Sequence, residues 1–304
     1  MPVPHSLSGR LRMPVVAAPM FLVSGPELVV ASCRAGVLGS FPALNQRTTE
    51  GLREWLRQID GELTDADAPY AMNLIVHPTN ARLRADLEVV VEHKVPVVIT
   101  SLGAVPDVVD AVHSYGGLVL HDVTTLRHAQ KAAEAGVDGL ILVSAGAGGH
   151  AGTINPFALM ATVRPWFDGI IALAGSITTG ADVLAARALG ADLAYLGTRF
   201  IATAESSAPE GYTQQILEAG AGDIVYTPAV SSIPANFLAA SLAAAGVDPV
   251  SVPDPMHLGS EQEFKAWRDI WSAGHGVAGI HDVPSVAQLV DRLAAEYDEA
   301  KARL

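Results

Sequence analysis

Eight short apolar runs, separated by segments rich in Ala, Leu, Glu and Arg, constrain this chain more than any other feature. They are PVVAAPM (14–20), VLGSFP (37–42), YAMNLIV (70–76), VPVVITSLG (95–103), GLVLHDV (117–123), GLILVSAG (139–146), GIIALAG (169–175) and DLAYLGTRF (192–200). A strand that is apolar without alternation belongs in a parallel sheet covered on both faces. The intervening segments supply that cover. In TTLRHAQKAAEAGVD, Leu126, Ala129, Ala133 and Val137 lie near one helical face, and Gly136 stops the helix. TTGADVLAARALGAD repeats the pattern and ends at Gly190. Eight such units predict an α/β fold, a (β/α)8 TIM barrel, with a doubly wound open sheet as the alternative. A chain of 304 residues, 50% of them hydrophobic, is long enough to fill such a core.

After Phe200 the rhythm changes. Residues 206–280 read as mainly helical, interrupted at Pro228, Pro234 and Val252-Pro253-Asp254-Pro255. Residues 284–302 read as an amphipathic helix. The expected organisation is a barrel over 1–204, a small mainly helical lid or substrate region over 205–280, and a C-terminal helix packed on the barrel over 281–304. The run ANFLAASLAAAGV reads as an apolar helix, which could serve an interface in a homo-oligomer as readily as a lid.

Charge and cysteine content narrow the function classes. The formal net charge is −13 and no basic run occurs, so nucleic acid and anionic membrane are not expected partners. No apolar stretch approaches the roughly 20 residues of a membrane span. The opening MPVPHSLSGRLRM lacks the apolar block of a signal peptide. Cys33 is the single cysteine, which rules out an internal disulfide. A cytoplasmic location is expected. No H-E-x-x-H or Cys-His cluster occurs, and His257, His275 and His281 are scattered, so no metal is expected. There is no P-loop. GAGGHAG lies far from the first strand and does not read as a dinucleotide fingerprint, and Ser144 and His150 lack the elbow of a hydrolase.

Barrels of this kind carry their sites at the C-terminal ends of the strands. The unusual residues fall there. Strand one ends in Ala18-Pro19-Met20, strand three carries Asn73, and strand five ends in His121-Asp122. Strand six runs into SAGAGGHAGT, with Gly149 and His150. Strands seven and eight end in Gly175-Ser176 and Gly197-Thr198. The last two turns stand where barrels bind phosphate, with glycines admitting close approach and backbone N–H groups facing an anion. Ordinary capped turns would look the same. His150 suits proton transfer at neutral pH, or is a hydrogen-bonded scaffold residue. Of His121 and Asp122 only one can face the barrel interior. Asn73 needs partners if buried: a heterocycle, or a neighbouring strand end.

PVVAAPM, AGAGGHAG, LAGSITTG and LGTRFIAT, in that order, resemble the nitronate monooxygenase family, once called 2-nitropropane dioxygenases. The resemblance runs from Pro14 to IWSAGHGVAG at 270–279. The family also holds FMN-dependent NAD(P)H:quinone reductases and, more distantly, flavin-type enoyl reductases. It implies a barrel binding FMN non-covalently. Ala18, Pro19 and Met20 would lie against the ring edge, Asn73 against the ring or its side chain, and Gly149 close by. Gly175-Ser176 and Gly197-Thr198 would hold the phosphate. Asp122 would join the cofactor contacts at the strand-five end, and His150 would be catalytic, over the reactive face. The implied reaction is oxidation of an alkyl nitronate by O2 to a carbonyl compound and nitrite. The alternatives are an NAD(P)H:quinone or enoyl reductase, and a ligand-binding barrel without turnover. Two positions depart from relatives: Asp122 stands where the quinone reductases have lysine, and His275 where many relatives have Gln.

Overall fold

Each of the eight runs forms a strand in the computed structural model, which describes residues 7, 9–103, 105–254 and 261–304. The residues before Leu7, together with Pro255 and His257, lie outside the described residues. In chain order the strands are β1 (Val15–Ala17), β2 (Gly39–Pro42), β3 (Tyr70–Ile75), β4 (Val97–Ser101), β5 (Leu118–Val123), β6 (Gly139–Val143), β7 (Gly149–His150), β8 (Ile170–Ala174), β9 (Leu193–Leu196), β10 (Ile224–Thr227) and β11 (Ala235–Leu238). Eight of them pair in parallel in the order β1-β9-β8-β6-β5-β4-β3-β2. A parallel bridge between Val16 and Leu38 joins the two ends, so the sheet closes into a barrel at one weak seam.

The strands are apolar on both sides because both sides are buried. Val16, Leu38, Ala71, Ile99, Leu120, Ile141 and Ala172 fill the barrel interior. Their neighbours Val15, Val98, Val119, Leu140 and Ile171 pack outward under the helices. That alternation sets the direction of every later residue on each strand. Local signals fix the helix starts. Pro26, Pro106 and Pro156 open helices, where a missing N–H costs nothing. Thr179 with Asp182 and Ser285 with Gln288 form capping boxes. Gly136 and Gly190 end helices at φ of +85° and +98°, which glycine adopts readily.

The segment after the barrel holds helices at Glu210–Glu218, Ala239–Ala244 and Glu261–Asp269. It also holds a sheet that the sequence pattern does not announce. ANFL, expected as the start of a helix, is strand β11. It pairs antiparallel with β10 on one side and with β7, which bears His150, on the other. The cause is tertiary. Asn236 is buried in β11 and donates from Nδ2 to the Ala147 carbonyl at 2.6 Å, tying the segment to the glycine-rich loop. The C-terminal helix Val286–Ala302 packs on the helix Gly180–Ala188. Its approach is held by Asp282, which takes the buried Arg199 at 2.9 Å and Arg292 at 2.6 Å. Among the described residues no helix is long and apolar enough to cross a membrane.

Candidate active site

At the C-terminal rim of the barrel lies a cavity of about 1460 Å³. The residues singled out in the sequence all line it: Ala18, Pro19 and Met20 after β1, Asn73 on β3, Asp122 on β5, Gly149 and His150 on β7. So do Gly175-Ser176 after β8 and Gly197-Thr198 after β9.

One end is a corner of backbone. Gly175 adopts φ +128° and Ser176 φ +58°, a left-handed conformation uncommon outside glycine. A Cβ on Gly175 would run into the Ser144 hydroxyl and come within 2.9 Å of the Ala145 carbonyl oxygen. Ser144 Oγ in turn donates to the Ala174 carbonyl at 2.6 Å, locking β6 to β8. The N–H groups of Ser176, Gly197 and Thr198 donate to no acceptor among the described residues. Backbone donors left unspent around a glycine-lined hollow suit an anion such as a phosphate. Beside them, Ala18 and Met20 form an apolar wall. A Cβ on Gly197 would lie 3.7 Å from Ala18 Cβ and 3.8 Å from Met20 Sδ.

The corner has a second half that sequence reading did not select. Residues 272–276, Ser-Ala-Gly-His-Gly, press against the glycine loop. The His275 N–H donates to the Gly146 carbonyl at 3.0 Å, and the Gly274 N–H to Thr198 Oγ1 at 2.9 Å. Thr178 Oγ1 donates to the Gly276 carbonyl at 3.0 Å. A Cβ on Gly274 would collide with the Gly146 carbonyl oxygen and lie 2.9 Å from the Gly148 nitrogen. Both obstacles are backbone, so the loop itself must move. Gly274→Ala is therefore expected to cost about 1–3 kcal/mol, the usual range for overpacking. Thermal denaturation would show it as a lowered Tm, whereas an unchanged Tm would mean that the two loops separate freely. The sequence signal was the spacing of Gly274 and Gly276, but nothing local says that Gly274 faces residues 146–148 or that Gly276 faces Ser176 and Thr178.

The floor is polar. Asn73 Nδ2 donates to Ser101 Oγ at 2.7 Å, and Ser101 Oγ donates to Asp122 Oδ2 at 2.6 Å. Asp122 Oδ1 is buried and has no hydrogen-bond partner among the described residues. Burial pushes this carboxyl up to about 6, against the pull of the Ser101 hydrogen bond. Tyr195 lines the cavity from β9, its phenol pushed up by burial and by the Asp122 charge. The choice between His121 and Asp122 resolves by parity. Leu120 points inward, so Asp122 does too, while His121 points outward to Thr100 Oγ1 at 2.7 Å. Burial holds His121 down at about 4, with His128 adding to the effect.

His150 lines the cavity from β7. Its Nε2 is 3.2 Å from Ser231 Oγ. Trp267 meets the ring edge to face at 5.3 Å and 90°, and Phe237 backs Trp267 at 5.4 Å. Burial lowers the imidazole to about 4, so the ring is neutral at physiological pH. Among the described residues no group of three or more His, Cys, Asp or Glu could hold a metal ion. A neutral imidazole lining the same cavity as an anion corner can accept or donate one proton beside a bound organic ligand.

The model of the nitronate monooxygenase family matches residues 78–296 of the chain. A nitronate monooxygenase of Paraburkholderia phytofirmans is 31% identical, the match covering 80% of this chain and 77% of that one. Among solved structures, a nitroalkane oxidase from Streptomyces ansochromogenes superposes with a TM-score of 0.86 at 27% identity, covering 98% and 99% of the two chains. A point mutant of FabK from Thermotoga maritima superposes with a TM-score of 0.81 at 25% identity, covering 98% and 96%.

Proposed function

The chain belongs to the nitronate monooxygenase family of oxidoreductases, and from that premise we propose that it binds FMN at the barrel rim and oxidises alkyl nitronates with O2. The products are a carbonyl compound and nitrite. The observation that carries this reading is the pairing of an anion corner with a neutral imidazole across one cavity.

The residues fit the cofactor. The unspent N–H groups of Ser176, Gly197 and Thr198 would hold its phosphate. Ala18, Pro19 and Met20 would flank the ring, Gly149 would pass close to it, and Asn73 and Asp122 would offer polar contacts from the floor. FMN bound there supplies the redox chemistry, which no side chain of this site can. The protein's part is to bind, orient and exclude water. His150 would contact the nitro group of a nitronate, or remove the α-proton when the neutral nitroalkane is bound. Trp267 and the β10–β11 layer form the wall over His150, and that wall would select among substrates.

Two separate additions to the purified protein test the proposal. An absorption spectrum is expected to show bound flavin. Anaerobic mixing with propionate-3-nitronate is expected to bleach it, and admission of O2 to release nitrite. A flavin that stays oxidised with the nitronate but is reduced rapidly by NADH or NADPH would replace this reading with that of a quinone or enoyl reductase. Protein that is colourless and cannot be reconstituted with FMN would end both.

A further inference from the structure

We infer that Ser231 fixes the tautomer of His150, leaving Nδ1 as the nitrogen that takes a proton from substrate. The inference rests on the catalytic role proposed for His150, but its first readout does not depend on turnover.

Ser231 lies between β10 and β11 and is buried. Among the described residues its Oγ has two hydrogen-bond neighbours: His150 Nε2 at 3.2 Å and the Ile233 carbonyl oxygen at 3.2 Å. A serine hydroxyl has one proton to donate, and a carbonyl oxygen can only accept. If the proton were aimed at Nε2, two oxygens would face each other at 3.2 Å with nothing between them. Aimed at Ile233, it satisfies the carbonyl and turns an Oγ lone pair toward the ring. Nε2 must then carry hydrogen. Because burial keeps the ring neutral, Nδ1 is left bare. The edge of Trp267 at 5.3 Å helps keep the ring plane fixed, so the bare nitrogen has a defined direction. With a neutral nitroalkane the step balances simply. The α-C–H bond breaks, its proton passes to Nδ1, and its electron pair stays on the substrate as the nitronate. The positive charge formed on the ring is shared through Nε2–H with Ser231.

Nitrogen-15 spectra of histidine-labelled protein read the tautomer directly, with the His150 signals assigned by their loss in His150→Gln. At pH 7 we expect a protonated Nε2 and a bare Nδ1. In Ser231→Ala the proton is expected to be shared between the two nitrogens. Turnover of neutral nitroalkanes should fall by up to about tenfold, the worth of one such hydrogen bond, and nitronate turnover should fall less. Ser231→Thr, which keeps the hydroxyl, should restore the spectrum and the rate. A wild-type spectrum with hydrogen on Nδ1 would overturn the inference, as would Ser231→Ala spectra identical to wild type. Protein that turns over neither substrate but shows the expected tautomer shift would refute the proposed function and uphold the link between Ser231 and the ring.

Discussion

His150→Ala is expected to lower turnover of neutral nitroalkanes by about 10²-fold, to affect nitronates far less, and to leave FMN bound. The split follows from the substrates. A nitronate has already lost its α-proton, so it needs no base and His150 offers it only a contact. A nitroalkane must lose that proton in the site. General bases typically contribute about 10²–10⁴-fold, and the lower end applies here for a physical reason. Burial holds this imidazole at about 4, and a weak base has little driving force toward a carbon acid. The retained flavin follows from which strands carry the donors. The unspent N–H donors lie after β8 and β9, on backbone that His150 does not support. The same depressed value sets the pH profile. The base form persists until the pH falls to about 4, so wild-type kcat/KM on nitroalkanes should show no inflection near 6.5, the ordinary histidine value. Steady-state kinetics on both substrate forms across this range would decide. Equal, small losses on both would make His150 scaffolding.

The barrel was legible because its strands are buried on both faces, which writes them into the sequence as unbroken apolar runs such as GLILV and IIALA. The turns at Gly175 and Gly197 were legible because a place in strand order carries meaning in a barrel. What escaped was long-range. ANFL looks helical, since Ala and Leu favour helices, yet its backbone hydrogen bonds come from distant segments: β10, a two-residue strand at Gly149–His150, and Trp271–Ser272. Gly274 carries no sign that it packs on Gly146 and Gly148, more than a hundred residues away in the chain, nor Gly276 that it packs on Thr178. Ser231 is one of two adjacent serines in a loop that is otherwise apolar or proline, and only the fold puts it against His150. Asp122 could be narrowed to an alternative with His121, and the parity of Leu120 was needed to decide.

Asp122→Asn is expected to stabilise the folded protein by about 3 kcal/mol above pH 6, and hardly at all near pH 4. The carboxyl lies inside the barrel mouth, Oδ1 buried without a partner among the described residues, and the Ser101 hydrogen bond stabilises its charge. Its folded value of about 6 exceeds the ordinary 3.8. Below the ordinary value both folded and unfolded chains are protonated, and the carboxyl costs nothing. As the pH rises toward 6 the unfolded chain ionises first, so the unfolded state gains and stability falls. Above 6 the folded chain ionises too, and the loss levels off. A shift of about two units at roughly 1.4 kcal/mol each gives the size of the effect. Asparagine keeps an oxygen for the Ser101 hydroxyl and carries no charge to bury. Urea unfolding of both proteins from pH 4 to 8 would show the difference opening between about 4 and 6. A gap of constant size across that range would trace the change to packing instead of ionisation. Residues that lower stability in this way gather where a ligand is bound, because a pocket shaped for something else leaves its own polar atoms unsatisfied. Saturation with FMN should therefore alter the gap between the two proteins if Asp122 belongs to the cofactor contacts, and leave it unchanged if the carboxyl is only buried.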